Sequence, residues 1–309
     1  PSLMLQLFLA GSINIVLGMR MLAVISWWLA IQVGGLAALP LVWQLFARLP
    51  GRGYPFAKVL GLLLVSYLLW LGAIFQLLPN DAGGIIFALV AICGLSLWLG
   101  REGMRPDSNG QRPLFRWLKE NRCLIIATEL LFLLVFVGWS VFRAYNPEIN
   151  GTEKPMEFAF INGVLGSRFF PPQDPWLSGF GISYYYFGYV MLAALTRITG
   201  VLPEVGFNLG VAMWYALVMI ATFGIVYTLV ALSHGKIDRE RQSIDGIAQT
   251  LRISLVMDKL HDRAAITWGL LGALLLGVMG NLEGVIDSAY HVNLLPINFF
   301  KWLNITGLT

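Results

Sequence analysis

Charge is scarce in this sequence. Only 12% of its 309 residues are Asp, Glu, Lys or Arg, against about 25% in ordinary globular domains. Residues 21–47 carry no charged side chain at all, and residues 59–100 carry only Asp81. A soluble enzyme and a disordered chain are both excluded by such runs. Cysteine is scarcer still, at two residues, which excludes a disulfide-stapled scaffold. Cys93 and Cys123 lie in or beside apolar runs and are expected to be packing residues. His234, His261 and His291 show no metal-ligand spacing, and no phosphate-binding or dinucleotide glycine pattern occurs.

What the sequence has in abundance is apolar length. Hydrophobic residues make up 57% and mean hydropathy is +0.72. A bilayer-spanning helix needs about 20 mostly apolar residues, and that length recurs along the chain. The fold class expected is therefore all-α: a polytopic transmembrane helical bundle, forming one transmembrane domain over 1–309. Spans are expected at 21–46, 58–78, 82–99, 124–142, 182–195, 207–232 and 264–279, with the stretch 1–19 left unassigned. The sequence begins at Pro1 and ends at Thr309 in a polar segment, which suggests the N-terminal part of a longer chain.

The net charge of +4 does not point to nucleic acid, because the basic residues sit in short connections between apolar runs. Basic turns at 48–58 and 101–122 alternate with a turn at 79–82 free of Lys and Arg. The positive-inside rule puts the basic turns in the cytoplasm and the 143–181 loop on the outer face. One conflict remains. Counting 182–195 as a span sends the charged segment 234–263 outside, although it holds six basic residues against five acids. We resolve it by letting the near-balanced acids weaken the retention signal. The alternative is that 182–195 only dips into the membrane. Ile237, Ile244, Ile247, Leu251 and Leu255 recur there at helical spacing, as in an interfacial amphipathic helix.

The 143–181 loop concentrates the chemistry. Thr152 is expected to cap a helix with Pro155 in its first turn, placing Glu153 and Glu157 on one face. Lys154 lies three residues before Glu157 and can pair with it. Met156, Phe160, Ile161 and Val164 would hold this helix to the membrane surface. A carboxylate here could accept a proton from an acceptor hydroxyl or hold a divalent cation, and Lys154 could meet a phosphate. The plainer reading is an acidic first turn with one ion pair. Three prolines around Asp174 hold its carboxylate rigidly, which suits catalysis, a cation site or a structural Asx turn alike. Trp176 could anchor among headgroups. Tyr184, Tyr185 and Tyr186 open the next helix as an aromatic belt or with a hydroxyl turned to a site, Tyr185 sharing a face with Tyr189. Glu129, inside the fourth span, demands a partner and is expected to make a buried structural hydrogen bond.

Several ordered motifs together resemble the YYY-motif membrane proteins of Chloroflexi and archaea. They are Glu153-Lys154-Pro155-Met156-Glu157, Phe170-Pro171-Pro172-Gln173-Asp174-Pro175-Trp176 and Tyr184-Tyr185-Tyr186-Phe187-Gly188, supported by Arg143-Ala144-Tyr145-Asn146-Pro147, Phe207-Asn208-Leu209 and Gly280-Asn281-Leu282. The resemblance spans about 21–282 and implies a multi-pass prokaryotic plasma-membrane protein. A more remote resemblance to the C-type membrane glycosyltransferases implies sugar transfer from a polyprenyl-phosphate donor on the outer face. Under it, Asp174 stands at one acid position and Glu148, Glu153 or Glu157 at the other. Lys154, Arg143 and Arg168 are expected to neutralise the donor phosphate, and Trp176 and the three tyrosines to line the substrate site. Membrane lipids and that donor are the expected partners, and nucleic acid is not. No cofactor is demanded, though a divalent cation could join the acids. The competing readings are a transporter path lined by Glu129 and glycine-rich helices, and a non-catalytic assembly domain.

Overall fold

A computed structural model describes residues 3–108, 110–245, 251–279 and 298–299, with side chains for 21–108, 110–233, 262–279 and 298–299. The chain is helical almost throughout. Its helices are α1 (Leu3–Leu45), α2 (Ala57–Ile74), α3 (Ala82–Leu99), α4 (Arg101–Met104), α5 (Pro113–Glu120), α6 (Arg122–Tyr145), α7 (Lys154–Gly166), α8 (Phe187–Thr199), α9 (Pro203–Asp245) and α10 (Leu251–Met279). The chain divides into two compact units, 1–224 and 225–309. The Gly280-Asn281-Leu282 motif and the side chains of 234–261, including His234 and His261, lie outside the described residues, as does His291.

Among the described residues six segments are long and apolar enough to cross a bilayer: Met21–Leu45, Tyr54–Ile74, Ala82–Leu99, Arg122–Tyr145, Pro203–Ser233 and Asp262–Met279. The protein is a multi-pass integral membrane protein. The expected span at 182–195 is the correction. It forms a helix of only 13 residues, about 20 Å long against about 30 Å of hydrocarbon. Hydrophobicity misled there because α8 is buried in protein, from Val190 through Thr196, rather than facing lipid. With α8 removed from the count, five spans precede residue 234. Basic connections then follow the first, third and fifth spans, and the charge conflict disappears.

In the first unit small residues set the helix spacing. A Cβ added at Gly61 would sit 2.2 Å from the Gly34 carbonyl oxygen, and one at Gly35 would press on Lys58. Backbones of α1 and α2 therefore touch, as membrane helices do where glycines face each other. Pro40 lies inside α1, and the next amide, Leu41 N–H, donates to Ser96 Oγ on α3 at 2.9 Å. The core runs through Trp27, Ile31, Leu62, Phe132, Phe136, Ile161, Leu195, Met213 and Ile220. Cys93 is half-buried, but Cys123 is exposed in the first turn of α6 rather than packed. In the second unit the Tyr227 hydroxyl donates to Asp262 at 2.9 Å.

Candidate functional site

Two polar clusters stand out, both within the first unit. The first lies inside the spans. Glu129 Oε1 accepts from Lys58 Nζ and from the Tyr54 hydroxyl at 2.9 Å, and Glu129 Oε2 accepts from Gln32 Nε2 at 2.8 Å. Lys58 is only 5% exposed and lies over the Phe132 ring. The costly carboxylate is thus paired and hydrogen-bonded on both oxygens, which is the structural role expected of it.

The second cluster is built on α7, at the end of the bundle that carries the 143–186 motifs (the motif end). This helix is held by its C-terminal carbonyls, which no intrahelical donor reaches. Asn80, in the α2–α3 turn, donates Nδ2 to Val164 O at 2.7 Å and to Ser167 O at 2.9 Å, and its amide donates to Arg168 O at 2.8 Å. Arg197 on α8 donates Nη2 to Leu165 O. Phe160, Ile161 and Val164 form the buried face. The start of the helix differs from expectation. Gly151 and Thr152 both adopt positive φ (72° and 50°), and Glu153, without a side-chain cap bond, takes the cap position. Thr152 cannot cap because its left-handed backbone belongs to the preceding turn. Nor, among the described residues, does an ion pair join Lys154 to Glu157.

Aromatic rings gather around Phe160. Its ring lies 5.6 Å from Trp176, 5.7 Å from Tyr184 and 5.7 Å from Tyr189, and the Tyr184 and Tyr185 rings lie 4.1 Å apart, tilted by 38°. Glu153 and Glu157 lie within electrostatic range of the same group. Burial raises the Tyr189 hydroxyl pKa above its usual value, and the charges of Glu157 and Glu153 raise it further. A hydrogen bond shared with Tyr185 raises Tyr184 to about 12, with Glu153 contributing. Yet the cluster is open: Tyr185 is 82% exposed and Trp176 61%. The three consecutive tyrosines do not act together, because α8 starts only at Phe187 and all three precede it in irregular backbone, with a bend at Tyr184. Tyr185 and Tyr189 therefore do not share a helical face. Tyr186 turns inward, accepting from Trp70 Nε1 at 3.2 Å and packing on Phe170.

The other expected site residues are placed differently. Asp174 Oδ1 accepts from the amides of Trp176 and Leu177 at 2.8 and 3.0 Å, an Asx turn, and the Asp174 amide donates to Phe180 O. This turn brings Trp176 onto Phe160. A Cβ at Gly163 would meet Gln173 O and Pro175, so the Asp174 turn rests on α7 six residues past Glu157, about 9 Å along the helix axis. Glu148 is exposed and holds Asn150 through Oε2 at 2.7 Å. Arg143, 8% exposed, donates Nε to Asn208 Oδ1 at 2.9 Å and Nη2 to Glu148 O at 3.3 Å, while Asn208 Nδ2 donates to Pro147 O. Two motifs distant in sequence, 143–147 and 207–209, are thus one hydrogen-bonded clamp between α6 and α9. Arg168 is exposed against Phe169. Asn80, Arg197 and Asn208 were missed as individual side chains; the prolines and acids drew attention away from single polar residues in or between apolar helices.

No group of three or more His, Cys, Asp or Glu suited to a metal ion occurs among the described residues. A family model described as an uncharacterized membrane protein (DUF2298) matches residues 64–303. No curated protein and no solved structure matches the chain.

Proposed function

The chain belongs to the DUF2298 membrane-protein family, and from that premise we propose that it is a membrane glycosyltransferase moving a sugar from a polyprenyl-phosphate donor to an acceptor on the outer face of a prokaryotic plasma membrane. The carrying observation is the open cluster of Glu153, Glu157, Tyr184, Tyr185, Tyr189 and Trp176 at the motif end. Exposed rings beside carboxylates and hydroxyls suit a sugar, whose C–H face stacks on a ring while its hydroxyls donate to carboxylates. The remote likeness to C-type glycosyltransferases supplies the reaction class, and the likeness to YYY-motif proteins the prokaryotic plasma membrane.

In this reading Glu157, half-buried beside Tyr189, is the base that takes the acceptor hydroxyl's proton. Glu153, further out, orients sugar hydroxyls. The phosphate leaves without acid assistance, being a stable anion. Asp174 organises the turn that seats Trp176, and of the basic residues Lys154 and Arg168 remain available to the phosphate. Arg143 holds the α6–α9 clamp instead.

Wild-type protein in lipid vesicles should release polyprenyl phosphate when a panel of polyprenyl-phosphate sugars and acceptors is supplied. Glu157→Gln should abolish release while leaving the protein folded. Absence of transfer across the panel, with solute uptake by the same vesicles, would replace this reading by transport. Sidedness is checked separately, with Cys93 and Cys123 replaced. A cysteine at Asn150 should react with an impermeant reagent from outside and one at Gln111 should not.

A further inference from the structure

The end of the bundle opposite the motif end carries a surface that the proposed reaction does not use. Four spans begin or end there: Met21–Leu45 at Leu45, Tyr54–Ile74 at Tyr54, Ala82–Leu99 at Leu99 and Arg122–Tyr145 at Arg122. The Arg143 clamp lies at the far end of α6, whose 24 residues extend about 36 Å. Guanidinium groups lie over rings at this level, Arg52 at 4.1 Å from the Trp43 ring centre and Arg101 at 5.8 Å from that of Trp98. Rings and cations gather in this way where a bilayer passes from hydrocarbon to phosphate.

The short helix α5 sits at this level, one residue before the α6 span. Its inner face is fully used. Leu114 is 3% exposed, and it meets Trp43 across Gly103, where a Cβ would sit 2.6 Å from the Trp43 ring and 3.4 Å from Leu114. Leu118 packs on the cluster of Ala38, Leu39 and Val42, and the Trp117 ring lies 6.4 Å from that of Tyr54.

The outer face is of another kind. Phe115 is 51% exposed, with the Arg112 guanidinium 6.0 Å from its ring centre. Lys119 follows Phe115 by four residues, on the same side of the helix, and Arg122 opens α6 three residues later. Arg112, Lys119 and Arg122 are all exposed, and none forms an ion pair among the described residues. The nearest acids in sequence are turned elsewhere. Asp107 holds Arg116 at 3.0 Å, and Glu120 stands about 140° around the helix from Phe115. Over 100–122 six basic residues face three acids. A phenyl ring among three unpaired cations matches a layer with hydrocarbon on one side and phosphate on the other.

We propose that the outer face of α5 binds anionic phospholipid of the adjoining leaflet. Phe115 inserts beneath the headgroups, and Arg112, Lys119 and Arg122 hold their phosphates. Because α5 runs into the α6 span, the layer beside it is the headgroup region, which an acidic soluble protein would first have to displace. This assignment does not depend on sugar transfer.

Two measurements on the full chain test it. By native mass spectrometry in detergent, the wild type should retain phosphatidylglycerol in preference to phosphatidylcholine of the same chains. Arg112→Gln with Lys119→Gln, both at exposed positions, should weaken phosphatidylglycerol retention about 25-fold, the product of about fivefold per charge. Arg48→Gln removes an exposed charge from the same end but off α5, and should leave retention unchanged. In phosphatidylglycerol nanodiscs, a nitroxide on Phe115→Cys, with Cys93 and Cys123 replaced, should relax faster with oxygen than with a water-soluble nickel chelate. Equal retention of the two lipids, retention undiminished by the double replacement, or an equal loss per charge in Arg48→Gln would overturn the proposal. Faster relaxation by the nickel chelate would also overturn it and leave this face in water, open to an acidic soluble partner.

Discussion

The two polar clusters of the first unit contain similar groups and treat them in opposite ways. Around Glu129 each carboxylate oxygen has a donor and the lysine is sealed from its surroundings. Around Phe160 two carboxylates and three tyrosines share one open surface, with the Glu153 and Glu157 charges raising the Tyr189 pKa. Within hydrocarbon an unsatisfied charge costs too much to keep, so the inner cluster closes on itself. At the membrane boundary water can satisfy the same groups, and they remain free to meet a ligand. A charge inside a span therefore reports on packing here, and an exposed acid among rings is the group that the proposed function puts to use.

That contrast can be broken most forcefully at Glu129. Glu129→Ala leaves Lys58 buried without its counterion and should destabilise the protein by about 3–5 kcal/mol, measured by denaturant unfolding in detergent. Replacing both partners with Met should recover part of that loss, since the buried charge is gone but Tyr54 and Gln32 lose their acceptor. If Glu129→Ala unfolds like wild type, the inner pair is not structural and the transport reading gains. A smaller loss is expected from Gly61→Ala, whose new methyl meets the Gly34 carbonyl; about 1–3 kcal/mol is typical of such overpacking, and the same unfolding assay reads it. By contrast, Glu157→Gln should change stability by no more than about 0.5 kcal/mol, as surface substitutions do.

The smallest effects sharpen the outer half of the comparison. Removing the Glu157 charge should let Tyr189 ionise at lower pH, followed by ultraviolet difference absorbance against a Tyr189→Phe control. Tyr184 should ionise near pH 12, and Tyr185→Phe should bring it back toward the ordinary tyrosine value. The sign follows from the raised pKa. Above pH 10 the unfolded chain loses this proton before the folded one does, so any contribution to stability is present below pH 10 and disappears as pH rises toward 12.

Much of the fold was legible because apolar length is a direct reading of bilayer thickness. The predicted span at 82–99 coincides with α3, and those at 124–142 and 264–279 lie inside α6 and α10. Burial defeated the same rule at α8, since a helix enclosed by other helices is as apolar as one enclosed by lipid. The α7 acids were visible as a pair, but their neighbours were not. Trp176 reaches Phe160 only through the Asx turn of Asp174, and Tyr184 and Tyr185 part from Tyr186 because α8 starts later than its tyrosines. Arg143 looked like a phosphate ligand because a charge at the end of a span usually faces headgroups. Asn208, 65 residues away, instead turns it into a clamp.

Sugar transfer by three proteins in identical vesicles separates the outer cluster from the inner pair: wild type, Glu157→Gln, and the double replacement Lys58→Met with Glu129→Met. Glycosyl transfer at the outer cluster requires turnover by the wild type and the double replacement, and none by Glu157→Gln despite its normal stability. Turnover retained by Glu157→Gln, with turnover lost in a folded Lys58→Met, Glu129→Met protein, would contradict it and move the working site into the membrane.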